Sequence, residues 1–273
     1  MSNIVCIGSG NMGFALMKGA SGSGTVNGAN IYFTDADIEK AKSASVSLNA
    51  NIVKTNTEAA EKGDFIFLAI KPQILAQVLA EIAPAAQKRL SGGNPPVFVS
   101  MAAGWSIDKI QTTLGAKLPV VRTMPNTPSL IGKGTIIYAV SPEVSEKNIK
   151  TLEKILGGAG IADKLEEKYL DAVTGLSGSG PAFGYLFIDA LAEGGVKAGI
   201  PKDKALQYAA QTVLGAAAMI QETGKQPQEL IDMVTSPGGT TLAGLSVLKD
   251  CAFKETVIKA VEAAWKRAVE LGN

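Results

Sequence analysis

Six residues near the start of the chain, Gly8-Ser9-Gly10-Asn11-Met12-Gly13, have the G-x-G-x-x-G spacing that can hold a dinucleotide. The apolar run Asn3-Ile4-Val5-Cys6-Ile7 before them predicts a buried strand, and Phe14-Ala15-Leu16-Met17 after them reads as an opening helix. In that context each glycine has its own task. Gly8 permits the tight turn, Gly10 lets the backbone approach a pyrophosphate, and Gly13 lets helix and strand pack closely. The helix start then offers free N–H groups and the positive end of its dipole to phosphate. The plain alternative is a glycine-rich strand-to-helix turn with no ligand.

Five further stretches could do chemistry. Asp35 lies 22 residues past Gly13, close to where an acid bonds an adenosine ribose. It could equally be the residue that starts the next helix, since Asp is a good N-cap. Ala69-Ile70-Lys71-Pro72 ends an apolar run at the carboxyl edge of the expected sheet, where open α/β folds bind ligands; Lys71 is a cofactor contact there or a plain surface charge. Arg122-Thr123-Met124-Pro125-Asn126-Thr127-Pro128 reads as an extended segment fixed by two prolines. Ser177-Gly178-Ser179-Gly180-Pro181 is an interhelix loop or a functional lead into a helix. In Ser236-Pro237-Gly238-Gly239-Thr240-Thr241 two glycines free the backbone before an apolar helix beginning Leu242-Ala243, so a helix start there could hold a carboxylate. The simpler reading of that stretch is a Thr cap.

The chemistry is bounded by an absence, because the 273 residues include no histidine. Ser-His-Asp hydrolysis and most catalytic zinc sites are therefore excluded, and no metal site is expected. Only two cysteines occur, Cys6 and Cys251, too few for a disulfide framework or a zinc cluster. A net charge of +1 gives no electrostatic footprint for nucleic acid or an anionic membrane. No apolar run has membrane-spanning length, and the first residues enter their strand without a signal-type leader, which predicts a cytoplasmic protein.

These residues need a frame. Short apolar runs at 31–33, 65–70, 97–99 and 120–121 alternate with helix-compatible segments near 38–47, 73–89 and 106–114. That βαβα order implies a mostly parallel sheet covered on both faces, with a later strand at 135–140 and a helix at 143–156. Ser21-Gly22-Ser23-Gly24 reads as a flexible loop after the first helix. The fold class is thus an α/β Rossmann domain, 1–165, followed by an all-α domain, 166–273, with helices at 182–197, 202–222, 228–234 and 254–271. The first two of these helices leave little polar face: Phe183 to Leu191 and Leu214 to Ile220 are apolar nearly all round. About 110 residues offer limited interior, so a partner subunit is expected to cover them; the alternative is a compact monomeric bundle.

Taken together, the runs resemble the pyrroline-5-carboxylate reductase family. The matching pieces are Ile7 to Gly13, Ile70-Lys71-Pro72-Gln73, Ala102-Ala103-Gly104, Arg122 to Pro128, Leu176 to Ala182 and Asp232 to Thr241, in the family's order over nearly the whole chain. The resemblance implies hydride transfer from NADPH or NADH to the C=N bond of 1-pyrroline-5-carboxylate, giving proline. It implies a helical domain interleaved with a partner's in a homodimer, and often rings of dimers. It implies cofactor contacts at Gly8, Ser9, Gly10, Asn11, Met12, Gly13, Asp35, Asn56, Ala69, Lys71, Pro72, Ala103 and Asn126. It implies that Val234, Ser236, Gly238, Gly239 and Thr240 hold the substrate, with Thr241 as the catalytic hydroxyl near the ring nitrogen. Many members carry a phosphate-compatible group after the second strand; Ala36 stands there, beside Asp35, which predicts that NADH competes with NADPH. The β-hydroxyacid dehydrogenases, also Rossmann plus helices, pair a catalytic Lys with Asn four residues on, whereas Lys197 is followed by Pro201. A dinucleotide-binding sensor without turnover is the non-enzymatic alternative.

Overall fold

The computed structural model describes residues 2–272. They form two compact units, one made of the residues up to 179 together with those from Ala263 onward, the other of Gly180–Glu262.

The first unit is built on one sheet. Its strands are β1 (Ile4–Ile7), β2 (Ile31–Thr34), β3 (Asn51–Ile52), β4 (Phe65–Leu68), β5 (Val97–Ser100), β6 (Val120–Met124), β7 (Gly134–Val140) and β8 (Gly160–Lys164), in the order β3-β2-β1-β4-β5-β6-β7-β8. Helices α1 (Asn11–Gly22), α2 (Ile38–Leu48), α3 (Asn56–Lys62), α4 (Pro72–Ser91), α5 (Ile107–Leu114), α6 (Glu146–Gly157) and α7 (Leu170–Val173) join them. β1 lies between β2 and β4, parallel to both, and all four of its residues are buried. Its side chains alternate between two cores. Val5 and Ile7 pack with Ile66, Leu68, Leu79 and Phe98, while Ile4 and Cys6 pack with Leu16, Phe33, Phe67 and Val99 on the opposite face. A strand covered on both faces must be apolar at every position, and that is why it reads as a run and not an alternation.

The mostly parallel expectation holds, with one reversal: β7 runs antiparallel to β6, Met124 pairing with Ile137. Residues 125–133 connect them through a short 3-10 helix, Thr127–Ile131, which is too little chain for a parallel crossover. Arg122, Thr123 and Met124 therefore belong to β6 itself, and the extended reading of 122–128 is corrected to strand followed by turn. The edge strands β3 and β8 were not apparent from the residue pattern, because their side chains are mostly exposed or half-buried and leave no apolar run. Helix α1 runs through Gly22, so the loop expected from Ser21 begins two residues later.

The second unit is helical: α8 (Gly180–Lys197), α9 (Lys202–Thr223), α10 (Pro227–Val234), α11 (Thr240–Asp250) and the first part of α12 (Phe253–Gly272). Its own core is small, with Ala192, Ala205 and Ala209 buried and Ile188 packed against them. Tyr185 is 61% exposed, Leu186 71% and Leu214 59%. A self-sufficient monomeric bundle would hide these side chains, so the compact-bundle alternative is not what this unit forms. Among the described residues no helix is long and apolar enough to cross a membrane.

Candidate active site

The glycine turn sits where β1 passes into α1. Gly8 has φ +99°, in the region that favours glycine, and its N–H donates to the Thr34 carbonyl at the end of β2. At Gly13 a Cβ would stand 2.5 Å from the Gly8 carbonyl oxygen and 2.8 Å from both Ala69 Cβ and Cys6 Sγ. Helix and strand touch there, as the spacing implies. Gly10 differs: nothing lies within 4 Å of where its Cβ would be. It is also the N-cap of α1, with no side chain capping the helix. The first-turn N–H groups thus face open space across a residue with no side chain. These are the two features a bound pyrophosphate requires, so the turn fits a dinucleotide. Cys6 is buried, its Sγ donating to the Gly8 carbonyl at 3.2 Å; burial first, and the Asp35 charge second, push its thiol far up, so it is inert packing.

Asp35 follows β2. Its Oδ2 accepts the Ser9 N–H at 2.7 Å and its Oδ1 accepts the Asp37 N–H at 2.9 Å. The cap of α2 is Asp37, which accepts the Glu39 N–H, so the helix-cap reading of Asp35 is corrected by two residues. The carboxylate instead ties the end of β2 to the glycine turn. Asn56 is the first residue of α3, just beyond β3, and its Nδ2 donates to Glu81 at 2.8 Å.

The carboxyl ends of β4, β5 and β6 carry the remaining first-unit candidates. Ala69 N–H donates to the Ile7 carbonyl, so Ala69 braces the turn from behind. Lys71 is the exposed N-cap residue of α4 and Pro72 its first residue. Trp105 Nε1 donates to the Pro72 carbonyl at 3.2 Å, tying the turn that carries Ala103 to the start of α4. Ala103 itself is half-buried. Asn126 is buried, and its amide is bonded at both ends: Oδ1 accepts the Thr135 N–H at 2.9 Å and Nδ2 donates to the Ser177 carbonyl at 3.0 Å.

Two features here were missed from residue order. Arg122 is only 6% exposed and pairs with Asp171 at 2.5 Å and Glu167 at 3.6 Å. Glu167 also accepts the Ile107 N–H at the start of α5. The other is the π-helical turn Thr174–Gly178, closed by the Ser179 N–H donating to the Thr174 carbonyl; of the two readings of 177–181 the lead into a helix holds and the loop does not, since α8 starts at Gly180 with Pro181 in its first turn.

In the second unit Val234 ends α10 and Thr240 begins α11. Between them the Gly239 N–H donates to the Ser236 carbonyl at 2.9 Å, and Gly238 has φ +70°. The N-cap is Gly239, and no side chain caps the helix. The Thr-cap reading is therefore corrected: Thr240 and Thr241 are already helical, and their hydroxyls do not cap. What remains is an uncapped helix start with two hydroxyls beside it.

Comparison with known proteins decides the family. A pyrroline-5-carboxylate reductase of Glycine max is 38% identical over 265 residues, covering 97% of this chain and 94% of that protein. The chain belongs to the pyrroline-5-carboxylate reductase family. Residues 167–271 match the family described as pyrroline-5-carboxylate reductase dimerisation, and residues 3–104 match NADP oxidoreductase coenzyme F420-dependent. Among solved structures, a pyrroline-5-carboxylate reductase of Coxiella burnetii superposes with a TM-score of 0.92 at 32% identity, covering 100% of this chain and 99% of that one. The Plasmodium falciparum pyrroline carboxylate reductase with NADP bound gives 0.86 at 31% identity, covering 100% of this chain and 98% of that one. The membership spans both units, and with it the glycine turn and the 236–241 turn alike.

Proposed function

We infer that the chain reduces the C=N bond of 1-pyrroline-5-carboxylate to L-proline at the expense of NADPH or NADH, the final step of proline synthesis. The observation that carries this reading is the extent of the family likeness, which covers the dinucleotide turn and the helical unit in one alignment. When bound, the reduced dinucleotide supplies the hydride; the chain supplies orientation and exclusion of water.

The glycine turn, Gly8 to Gly13, holds the pyrophosphate on the open N–H groups of α1. Asp35 and Asn56 take the adenosine ribose. Ala69, Lys71, Pro72 and Ala103 line the carboxyl edge beside the cofactor, and Asn126 shapes that edge through its two backbone bonds. The uncapped start of α11, with Val234, Ser236, Gly238, Gly239 and Thr240, receives the substrate carboxylate, and Thr241 meets the ring nitrogen. This assignment needs no histidine. A cyclic imine that enters protonated accepts hydride at carbon and leaves as an amine, with no strong general acid required.

The chain works as a homodimer, or a ring of dimers, in which a second copy covers the apolar faces of α8 and α9. It acts in the cytoplasm, without nucleic acid or membrane. The residues from about 166 onward serve substrate binding and dimerisation, and those before it the dinucleotide. NADH competes with NADPH because Asp35 suits a ribose hydroxyl. The test is NADPH and NADH oxidation with added pyrroline-5-carboxylate. Turnover with a 2-hydroxy or 3-hydroxy acid instead would favour the hydroxyacid dehydrogenase alternative. Dinucleotide binding without turnover of either would leave a sensor.

A further inference from the structure

Arg122 is a buried cation in the middle of β6, and no step of the proposed reaction uses it. Its guanidinium reaches two carboxylates at once: Nη2 meets Asp171 Oδ1 at 2.5 Å, and Nη1 meets Glu167 Oε1 at 3.6 Å. The same Glu167 oxygen accepts the Ile107 N–H at 2.7 Å. Ile107 is the first residue of α5, and its N–H is one of the donors that a helix start leaves without a partner. Ser106, the cap, accepts only from Lys109. We propose that Arg122 is a positioning residue for the cofactor: through Glu167 it fixes the turn 101–106, and with it Ala103, against the nicotinamide half of the dinucleotide. The proposal rests on the dinucleotide reading above and adds a residue that this reading does not use.

Three observations support it. First, stability alone does not account for the cluster. Every residue of β6 is buried, and an apolar side chain at 122 would serve the sheet as well, because the attraction within a buried ion pair does little more than offset its desolvation. Second, the turn is held at several points, and Glu167 holds its far end. Ala102 N–H donates to Ser100 Oγ at 3.3 Å, and Trp105 Nε1 donates to the Pro72 carbonyl at 3.2 Å. The last turn of α12 closes on it too, the Leu271 carbonyl standing where a Cβ on Gly104 would be. Third, the sheet order places the turn. β2, which carries Asp35, lies on one side of β1, and β4 and β5 lie on the other. With the adenosine at Asp35 and the pyrophosphate at the glycine turn, the turn after β5 faces the nicotinamide half. Without Arg122 the two carboxylates repel each other, and Glu167 loses the charge that keeps it at Ile107.

The test compares NADPH with ADP, which occupies the adenosine and pyrophosphate half alone. Both are titrated by calorimetry into the wild type, Glu167→Ala, Glu167→Gln, Arg122→Lys and the double variant Arg122→Lys with Glu167→Ala. Glu167→Ala leaves the Arg122–Asp171 pair in place, and Arg122→Lys keeps the buried charge but loses the fork that spans both carboxylates. Glu167→Ala should weaken NADPH about fivefold or more and leave ADP unchanged. Glu167→Gln, which keeps an oxygen for the Ile107 N–H, should recover most of that loss. Arg122→Lys should weaken NADPH in the same selective way, and adding it to Glu167→Ala should cost nothing further, because Arg122 acts through Glu167. Equal weakening of NADPH and ADP, additive losses in the double variant, or a lowered melting temperature with NADPH affinity intact overturns the positioning role and leaves the dinucleotide reading standing. Failure of the wild type to bind either ligand overturns the dinucleotide reading, and the role of Arg122 with it.

Discussion

Asn126 and Ser177 are joined by a side-chain bond: the Asn126 Nδ2 donates to the Ser177 carbonyl at 3.0 Å, while its Oδ1 takes the Thr135 N–H. One amide thus fixes the end of β6, the start of β7 and the π-helical turn 174–178 together. Turns of that kind are rare and concentrate at functional sites.

Asn126→Asp keeps the acceptor and loses the donor, placing a carboxylate against a carbonyl. Leaving such groups unpaired costs about 1–3 kcal/mol. The expected outcome is a melting temperature lowered by several degrees and a reduced kcat/KM, with dinucleotide affinity changed by less than about threefold. Calorimetric melting and cofactor titration on the same variant check it. Lost affinity with an unchanged melting temperature would mean that Asn126 touches the cofactor directly.

Gly10 and Gly13 should respond to alanine in opposite ways. At Gly13 the new Cβ meets the Gly8 carbonyl oxygen at 2.5 Å, and overpacking of this sort costs about 1–3 kcal/mol. Gly13→Ala should therefore melt earlier as well as bind dinucleotide less well. At Gly10 nothing lies within 4 Å, and φ −70° with ψ 177° suits alanine. Gly10→Ala should keep its melting temperature and lose dinucleotide affinity, because its methyl takes the space left for pyrophosphate. Equal affinity in wild type and Gly10→Ala would remove the pyrophosphate from this turn.

The contrast between those two glycines shows what could be read from residue order. The motif gave the turn, since β1 must be apolar on both faces and Gly8 must take a positive φ. It could not separate Asp35 from Asp37 as the cap of α2, because both are the same residue type within one turn of the helix start. Nor could it find the Arg122–Asp171 pair: a strand residue meets a helix residue 49 positions on, and no local period encodes that contact. β8 escaped for a related reason, since Ile161 on it is 60% exposed and its neighbours carry no apolar run. In the helical unit the apolar faces of α8 and α9 were legible, because a helix apolar all round must be covered by something.

Assembly follows from those faces. Leu186 is 71% exposed and Leu214 59%, far more than a free surface should leave open over two neighbouring helices. Light scattering should find a dimer or a larger species built of dimers. Leu186→Glu combined with Leu214→Glu should shift it toward monomer and abolish turnover, while dinucleotide binding by the first unit persists. A stable, fully active monomer would defeat the inference that a second copy covers these helices.

Thr241 is the residue on which the chemical reading depends most closely. It is the second residue of α11, after a turn in which Gly238 takes φ +70° and Gly239 is the N-cap. Its hydroxyl does not cap the helix, so it is available to a ligand. A hydroxyl can accept from an iminium N–H and donate once the amine has formed. Its β-branch restricts χ1, which helps to hold that hydroxyl in one place. Thr241→Val keeps the shape and removes the oxygen. Losing a bond to a charged group costs about 1.5–3 kcal/mol, so kcat/KM should fall about tenfold to a hundredfold. Cofactor affinity should hold, because the residues proposed to bind it belong to the other unit. The melting temperature should hold as well, since Gly239 rather than Thr241 occupies the cap position. Thr241→Ser should recover most of the activity, with whatever shortfall the looser rotamer brings. Full activity in Thr241→Val would take Thr241 out of the site. A melting temperature lowered in step with activity, and restored by Ser, would instead make its hydroxyl a structural bond of the helix start.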